Sequence, residues 1–357
     1  MRVVMTVCVK DEADILDAQL AFHLNAGVDF VIATDTGSTD GTVEILERYR
    51  QAGVLELRVD HSQPFRLGDQ RTTMARAAAT EFGADWVINS DADEFWWPRG
   101  HDLKTVLDAL PARYGVVMGL WRPFVPVPDD GSPFYERMTA RFAPSHPVND
   151  PTSKFRPNTK VAHRADAEVI VGRGNHTSVD SRHQLLRGWY PIEILHFPFR
   201  SSEQVAVKSV KSDTHFGPKR GGYLRRLASE TQAQAGDNVF DGMAIDPEAL
   251  EEGLAAGVLI RDVRLRDALG SIADPSTGRF ALPGGHRPGL TLTPPSIVED
   301  ALFAADVAVL GDASIVRTQR QLDDLNRRLQ LLEERPAVRL ERRLRGLVRQ
   351  AARRRDG

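Results

Sequence analysis

Three carboxylates lie within four residues of this sequence, inside the segment 89–95 (NSDADEF). Like charges this close repel one another and raise their own pKa values unless a cation lies between them. Carboxylate oxygens are the hard ligands that Mg²⁺ and Mn²⁺ prefer, and such an ion commonly binds substrate phosphates. We therefore predict a divalent metal site with Asp91 and Asp93 as ligands. A solvated acidic loop is the alternative that the segment alone leaves open.

The position of these acids favours the metal site, because they follow the apolar run 86–88 at the end of a predicted strand. Open α/β sheets bind ligands at the carboxyl ends of their strands. The first half of the chain alternates strand and helix patterns, which predicts a parallel sheet with right-handed crossovers. The predicted strands are 2–9, 30–33, 54–59 and 85–89, and the predicted helices are 12–25, 43–49 and 69–82.

The pattern loosens beyond residue 98. The segment 123–157 is rich in Pro, Asp and Ser, which predicts long loops. The Gly/Pro-rich segment 271–296 predicts a connector at a domain boundary. Between and around them we predict helices at 102–110 and 204–211, a helix start at 246, and strands at 115–121, 167–171 and 192–197.

Length and composition indicate an enzyme-sized globular protein, since 41% of its 357 residues are hydrophobic and can form a substantial core. The single cysteine, Cys8, excludes an intramolecular disulfide framework and favours a reducing compartment. No stretch is long enough to span a bilayer, and charged residues interrupt the first apolar run too early for a secretory leader. The net charge is −3, but residues 335–357 carry nine arginines and two acids, so the basic character lies in the tail.

Three segments carry a resemblance to a known family, namely 9–14 (VKDEAD), 35–42 (DTGSTDGT) and 91–95 (DADEF). They resemble family 2 glycosyltransferases of the GT-A fold, in particular the bacterial branch that opens with a Lys-Asn-Glu-type motif. Each follows a predicted strand, and their order and spacing match the family. The resemblance is strong over about residues 1–100, weaker at 174–176 and 194–201, and absent beyond about residue 230.

The resemblance implies an α/β protein with the GT-A nucleotide-diphospho-sugar transferase fold, a Rossmann-like mixed and mostly parallel sheet, followed by a C-terminal helical extension. We expect a catalytic domain at 1–230, a helical and loop extension at 231–310, and a basic amphipathic tail at 311–357. The implied activity is metal-dependent transfer of a sugar from a nucleotide-sugar donor to a saccharide or lipid-linked acceptor, with inversion. Mn²⁺ or Mg²⁺ is the implied cofactor.

The same resemblance assigns site roles residue by residue. Asp35 is expected to face the nucleobase or ribose of the donor, although a turn or helix-cap role would also explain it. Asp93 is the expected direct metal ligand, and Asp91 reaches ribose or metal. His196 completes the metal shell, unless it is a core-edge histidine bonded to backbone. The other expected donor-binding residues are Thr6, Glu12, Arg71 and Arg200, with Lys208 as a further candidate for the phosphates.

An inverting transferase needs a base within hydrogen-bond reach of the acceptor hydroxyl. Glu94 is the first candidate because it belongs to the acidic cluster, and Glu193 and Asp180 are the others. Trp97 is expected to stack on an acceptor sugar, with packing against a covering loop as the alternative. His176 is a second candidate for metal or acceptor contact.

The C-terminal tail suggests further partners. Apolar residues at mixed three, four and seven spacing over 314–332 predict a short coiled coil, which would allow self-association. Residues 338–355 place an apolar stripe among arginines, as in a helix on an anionic membrane surface, with a solvated basic helix as the alternative. We expect a cytoplasmic protein, peripheral on the inner face of the plasma membrane, that builds cell-envelope polysaccharide and has no nucleic-acid partner.

Two alternative functions stay open. A nucleotidyltransferase would share the α/β layout and the paired-carboxylate metal site. It would be expected to show a Gly-rich basic loop after the first strand, and residues 9–14 contain no glycine. A non-catalytic sugar-binding scaffold would keep the fold while the tail assembles partners.

Overall fold

The computed structural model of this protein describes residues 1–60, 67–100, 102–143, 158–179, 184–186, 188–206, 208, 240–274, 276–282, 290, 292 and 295–308. The described strands are β1 (Val3–Val9), β2 (Phe30–Asp35), β3 (Leu55–Val59), β4 (Trp86–Ser90), β5 (Glu94–Pro98), β6 (Tyr114–Pro123), β7 (Ala140–Phe142), β8 (Thr159–Arg164), β9 (Ile170–Val171), β10 (Ser178–Val179), β11 (Gln184–Leu185), β12 (Ile192–His196) and β13 (Leu259–Arg261). The described helices are α1 (Ala13–Asn25), α2 (Thr42–Gln51), α3 (Leu67–Thr80), α4 (Leu103–Asp108), α5 (Phe134–Arg137), α6 (Pro247–Ala255) and α7 (Arg264–Ile272). Residues 202–206 and 297–308 are also helical, and Arg173–Asn175 forms a 3₁₀ turn.

One mixed sheet of nine strands organises the molecule, in the order β3-β2-β1-β4-β8-β6-β12-β5 with β11 beside β6. Strands β1 to β4 pair in parallel, and Thr6 on β1 lies opposite Ile32 and Asn89 on its two neighbours. β12 is parallel to β6, whereas β8 and β5 run antiparallel to their neighbours. The prediction of a mixed, mostly parallel α/β sheet is confirmed.

The central strand β1 is buried on both faces, which explains its continuous apolar sequence. Met5 and Val7 pack in the larger core together with residues of α1, whereas Val4 packs with Met74 and Ala78 of α3 in a second core. Successive side chains of a strand point to opposite faces. Helices therefore cover both faces, and the sheet is the middle layer.

Three strands of the sheet were not predicted from the sequence, namely β5, β8 and the two-residue β11. β5 begins inside the acidic cluster, and β8 follows the predicted loop region. These two pair antiparallel with strands far away in the chain, β5 with β12 and β8 with both β4 and β6. Local periodicity does not contain such pairings. The predicted loop 123–157 also contains α5 and β7, and β7 pairs with β13 more than a hundred residues later.

Several predictions fall on the C-terminal part of the chain. The predicted coiled coil at 314–332 and basic helix at 338–355 lie outside the described residues, and the three-part domain division stays a prediction. The predicted connector 271–296 overlaps the end of α7 and an isolated bridge between Ala273 and Phe280. In the described part of the chain, none of the helices has the length and apolar character needed to cross a membrane.

Candidate active site

The acidic segment forms a tight turn between β4 and β5. The backbone N–H of Glu94 donates to the carbonyl of Asp91 (3.3 Å), and the N–H of Asp91 donates to Oε2 of Glu94 (3.1 Å). β4 lies beside β1 in the parallel part of the sheet, so the turn is at the carboxyl end of β4. This is the edge at which α/β sheets bind ligands.

Two cations hold the carboxylate of Asp91. Its Oδ1 pairs with Arg71, and its Oδ2 lies 2.5 Å from Nζ of Lys160. Burial by itself would raise the pKa of Asp91, but Arg71 and Lys160 outweigh burial and lower it to about 2. The predicted donor residue Arg71 is therefore part of the cluster. Its Nε is buried and has no hydrogen-bond partner among the described residues.

Lys160 is a site residue that the sequence patterns did not identify. Its Nζ also lies 2.9 Å from Oε1 of Glu94, and only 1% of its side chain is exposed. Burial disfavours the charged form, but Asp91 and Glu94 outweigh it and raise the pKa of Lys160. The sequence feature that could have identified it is a lysine inside the strand-length segment Thr159–Arg164. The pairing of β8 with β4 and β6 decides that this lysine reaches the acids.

Asp93 and His196 lie next to each other where β5 pairs with β12. Nε2 of His196 lies 3.6 Å from Oδ1 of Asp93, and Nζ of Lys208 lies 2.6 Å from Oδ2. Burial opposes ionisation of Asp93, but Lys208 and His196 outweigh it, so the pKa of Asp93 is well below its ordinary value. His196 also stacks on Trp121, with ring centroids 4.2 Å apart. Its ring is therefore fixed with one nitrogen toward a carboxylate.

The first base candidate, Glu94, is fully buried. Its Oε1 accepts the indole N–H of Trp121 (3.0 Å) and contacts Lys160, while its Oε2 accepts the backbone N–H of Asp91. Burial raises the pKa of Glu94, and Lys160 offsets only part of this. Both carboxylate oxygens are thus engaged in fixing the turn. Another base candidate, Asp180, lies outside the described residues.

Asp93, Glu94 and His196 form a group that could hold a metal ion, because their ligand atoms all lie within 4.8 Å of one another. Two carboxylates and one imidazole form a donor set that suits a divalent ion. The geometry also fits, since Oδ1 of Asp93 faces His196 while Oδ2 engages Lys208. Of the predicted ligands, the structure brings Asp93 and His196 together and places Asp91 in the adjoining cationic contact.

His176 lies beside this cluster, with its ring centroid 5.7 Å from that of Trp121. Its Nδ1 lies 2.7 Å from the carbonyl oxygen of Thr159. Burial and the charge of Lys160 lower the pKa of His176 to about 4, so the ring is neutral at pH 7 and Nδ1–H donates to that carbonyl. Trp121 is a second site residue that the sequence did not indicate, and it contacts both histidines.

Asp35 lies at the carboxyl end of β2 and is 2% exposed. Its carboxylate accepts the backbone N–H groups of Gly37 (2.9 Å) and Ser38 (3.2 Å). These are the contacts of a turn residue, which was the alternative given for Asp35. Contact with the donor nucleoside stays a prediction.

The remaining donor candidates make contacts within the protein. Oγ1 of Thr6 donates to Oδ1 of Asn89 (2.8 Å) in the buried centre of the sheet. Arg200 is fully buried, and its guanidinium lies 2.6 Å from both Glu12 and Asp14. Burial disfavours its charge, but these acids outweigh burial and raise the pKa of Arg200. Because Glu12 and Asp14 follow β1, this contact ties the chain after β12 to the first sequence motif.

Two predicted site residues lie on the opposite face of the sheet. Glu193 precedes His196 by three residues on β12, and Trp97 pairs with Glu193 in register. Alternation along a strand points them away from Glu94 and His196. Nε of Arg122 lies 2.6 Å from Glu193, and a group of arginines outweighs burial and holds the pKa of Glu193 well below its usual range. The structure therefore does not bring Glu193 or Trp97 to the acidic cluster.

Comparison with known proteins identifies the domain. Residues 6–171 match the family described as Glycosyl transferase family 2. The chain is similar to S. aureus TarS 1–349, with 14% identity over 72% of this chain and 79% of that chain and a TM-score of 0.31. The complex of TarS 1–349 with UDP-GlcNAc gives 13% identity, the same coverage and a TM-score of 0.33. A mycobacterial protein is 19% identical over 34% of this chain and 41% of that chain, with a TM-score of 0.23. A search of curated proteins found no match.

TM-scores of this size do not bear on activity, so the identification depends on the family match together with the observed fold. The matched span contains all three sequence motifs and the acidic turn. The mixed sheet with helices on both faces agrees with the predicted GT-A fold, which is confirmed. Residues 6–171 therefore form a domain of glycosyl transferase family 2, and the protein that carries this domain is a glycosyltransferase.

Proposed function

We propose that this glycosyltransferase moves a sugar from a nucleotide-sugar donor to a hydroxyl of a saccharide or lipid-linked acceptor, with inversion and with dependence on a divalent metal ion. The observation that carries the proposal is the grouping of Asp93, Glu94 and His196 within 4.8 Å at the carboxyl end of β4. Mn²⁺ or Mg²⁺ fits the carboxylate oxygens, and the imidazole favours Mn²⁺, a transition-metal ion, over Mg²⁺, which takes oxygen ligands.

A bound ion would supply positive charge for the nucleoside diphosphate as it leaves. Asp93 and His196 would hold that ion, and Glu94 next to them would serve as the base rather than as a permanent ligand. Two cations of the chain lie in the same cluster, where Arg71 pairs with Asp91 and Lys208 pairs with Asp93. The unpartnered Nε of Arg71 is a donor that a phosphate or ribose oxygen can use.

The nucleoside end of the donor is proposed to lie along the carboxyl ends of β1 and β2. The turn 35–42 and the segment 9–14 meet there, since the N–H of Thr39 donates to Oδ1 of Asp11 (2.7 Å) and the N–H of Asp11 donates to Oγ of Ser38 (2.9 Å). In this arrangement Asp35 shapes the loop, and Thr6 and Arg200 position the strands beneath it.

We assign the base to Glu94, because among the described base candidates it is the one that lies in the cluster. Burial raises its pKa, which makes its carboxylate the more basic of the three acids there. To accept a proton from the acceptor hydroxyl, Glu94 would exchange one of its present contacts with Lys160 or Trp121 for that hydroxyl. The acceptor would then enter beside Trp121 and His176.

Thermal shift with nucleoside diphosphates, measured with and without Mn²⁺, tests the proposal directly. A ligand at a hundred times its Kd stabilises the native state by about 2.7 kcal/mol, so a bound nucleotide is readily detected. We expect stabilisation that requires Mn²⁺ in the wild type and is lost in Asp93→Asn, together with a loss of about a hundredfold or more in sugar transfer. Asp108→Asn, the same substitution at an exposed position on α4, is the matched control. Metal-independent stabilisation that Asp93→Asn leaves intact would contradict the proposed metal role.

The sequence of the tail supports a further proposal on location and assembly. We propose that 338–355 binds the anionic inner face of the plasma membrane, where the enzyme would act on cell-envelope polysaccharide, and that 314–332 mediates self-association. Flotation with anionic liposomes is expected to recover the intact chain and not a form truncated at Pro336. Equal recovery of the two forms would remove the membrane role. Both forms keep residues 314–332, so we expect both to self-associate. Finding both forms monomeric would remove the proposed role of 314–332 in assembly.

A further inference from the structure

A cavity of about 480 Å³ lies on the sheet face opposite the acidic turn. Glu193 of β12 and Trp97 of β5 line it, whereas His196 and Glu94 on the same two strands point to the other face. Its volume falls within the range of roughly 300 to 1,000 Å³ that ligand pockets have. Five arginines line the cavity, namely Arg99, Arg122, Arg141, Arg261 and Arg264. The proposed transferase reaction uses none of them.

Most arginines of the cavity are paired with acids, but one of them has a hydrogen-bond donor without a partner among the described residues. Oε1 of Glu193 lies 2.6 Å from Nε of Arg122, and Oε2 of Glu193 lies 2.7 Å from Nη1 of Arg264. Asp262 lies 2.9 Å from Nε of Arg141. Nη1 of Arg141 is nevertheless buried and has no hydrogen-bond partner within the described part of the chain. A buried donor without a partner costs free energy, so a group that accepts its hydrogen bond would be stabilised there.

The helix over residues 297–308 covers this cavity with an acidic and aromatic face. Asp306 lies 2.6 Å from Arg122, Asp300 pairs with Arg99, and the Phe303 ring lies 3.7 Å from the guanidinium of Arg99. The charges of the cavity lining are balanced, because its five arginines face five acids, namely Glu193, Asp262, Asp267, Glu299 and Asp306. Asp306 is the acid of the helix that neutralises Arg122.

Both apolar and charged contacts hold this helix. Its residues Phe303 and Val307 pack against a small core cluster, as the apolar side of a surface helix normally does, and Asp306 points inward to Arg122. Because ion pairs are replaceable by other ions, an anion that reached the arginines could compete with Asp306 for Arg122.

We propose that this arginine cavity is a second binding site, for a ligand that carries a carboxylate or a phosphate group, and that Asp306 takes the place of that anion when the ligand is not bound. Guanidinium groups bind both kinds of anion through paired hydrogen bonds. The guanidinium of Arg264 lies 5.3 Å from the Trp97 ring and that of Arg99 lies 3.7 Å from the Phe303 ring, so these aromatic rings help to hold the arginines in place. The ligand class is therefore a small molecule that carries a carboxylate or a phosphate group.

Isothermal titration of the full chain, at low ionic strength and without donor or metal ion, tests this site independently of transfer activity. The probes are inorganic phosphate and glucuronate, with glucose as the neutral control. We expect Asp306→Asn to tighten binding of at least one anion about tenfold, because Arg122 loses its competing partner, and Arg141→Gln to weaken it about tenfold. Glu47→Gln makes the same kind of charge change on an exposed ion pair of α2 and is expected to leave binding unchanged.

Arg71→Gln separates this cavity from the donor crevice. Binding that persists in Arg71→Gln and responds to Asp306→Asn supports the proposal, and the response to phosphate or to glucuronate identifies the class of ligand. Anion binding that is lost in Arg71→Gln and indifferent to Asp306→Asn would place the ions in the donor crevice and overturn it. An equal response to Asp306→Asn and Glu47→Gln would also overturn it. Because Asp306→Asn predicts a gain of binding, misfolding of Arg141→Gln cannot imitate the expected result.

Discussion

Replacing Lys160 by methionine is expected to destabilise the protein strongly, although Lys160 belongs to no motif. Its ammonium lies 2.5 Å from Asp91 and 2.9 Å from Glu94, and its side chain is 1% exposed. Lys160→Met keeps much of the side-chain volume and removes the charge. Two acids then lose one cation, but Asp91 retains Arg71 and is 30% exposed, whereas Glu94 is fully buried and retains only neutral donors. The cost therefore falls mainly on Glu94.

Breaking a buried ion pair by removing one partner costs about 3 to 5 kcal/mol, because the remaining charge is buried without compensation. We expect about 3 kcal/mol for Lys160→Met at pH 8, the lower end of that range, since one of its two acids keeps a partner. Lys104→Met is the matched control. Its ammonium also lies 2.5 Å from a carboxylate, that of Asp29, but the two side chains are 38% and 32% exposed. Exposed pairs contribute about 0 to 1 kcal/mol.

The pH dependence distinguishes this explanation from simple loss of packing. Burial already raises the pKa of Glu94 above its ordinary value of 4.5, and removal of Lys160 raises it further. The native state of the variant therefore holds a proton that the unfolded state has released, so its deficit in stability grows as pH rises through the native pKa and shrinks toward pH 4.5. Urea unfolding of both variants and the wild type at pH 5 and pH 8 measures this. A deficit below 1 kcal/mol, or one that is equal at the two pH values, would refute the reasoning.

Two further substitutions test the contacts that position the site. His23 is buried, accepts the N–H of Trp96 at Nε2 (3.0 Å), and has a pKa lowered by burial from 6.5 to about 4. The contribution of neutral His23 to the stability of the protein is complete above pH 6.5 and is lost as pH falls toward 4. Between these pH values the free energy of unfolding of His23→Gln should therefore change by about 3 kcal/mol less than that of the wild type. A urea-unfolding profile with the pH dependence of the wild type would contradict this. Arg200→Lys keeps the charge but loses the fork that spans Glu12, Asp14 and the carbonyl of Phe197 (2.9 Å), and we expect it to cost about 2 kcal/mol, or roughly 5 °C in melting temperature. A melting temperature equal to that of the wild type would show that charge alone suffices.

The family and the parallel half of the sheet could be predicted because their signals are local. The segments 9–14, 35–42 and 91–95 each follow a strand whose apolar residues are continuous in sequence. Burial of β1, β2 and β4 on both faces requires those apolar runs. Each strand and the motif that follows it can therefore be recognised together in the sequence. The family match over residues 6–171 confirms that part of the prediction.

The antiparallel half was not predictable in the same way. Lys160 reaches the acidic turn because β8 pairs with β4 and β6, and Trp121 reaches it because β6 lies beside both β8 and β12. Lys160 is 69 residues from Asp91, and Trp121 is 27 residues from Glu94. No local period encodes such pairings, and a buried lysine in a short strand resembles any other lysine in the sequence.

The sequence by itself determined that three acids follow a buried strand and that this strand belongs to a family 2 glycosyltransferase domain, because runs of apolar residues and turn motifs are properties of neighbouring residues. Only the tertiary structure decided which acids share a site. Pairing of β5 with β12 sets His196 beside Asp93 and turns Glu193 and Trp97 to the other face, since side chains alternate along a strand and a pairing fixes every one of them at once.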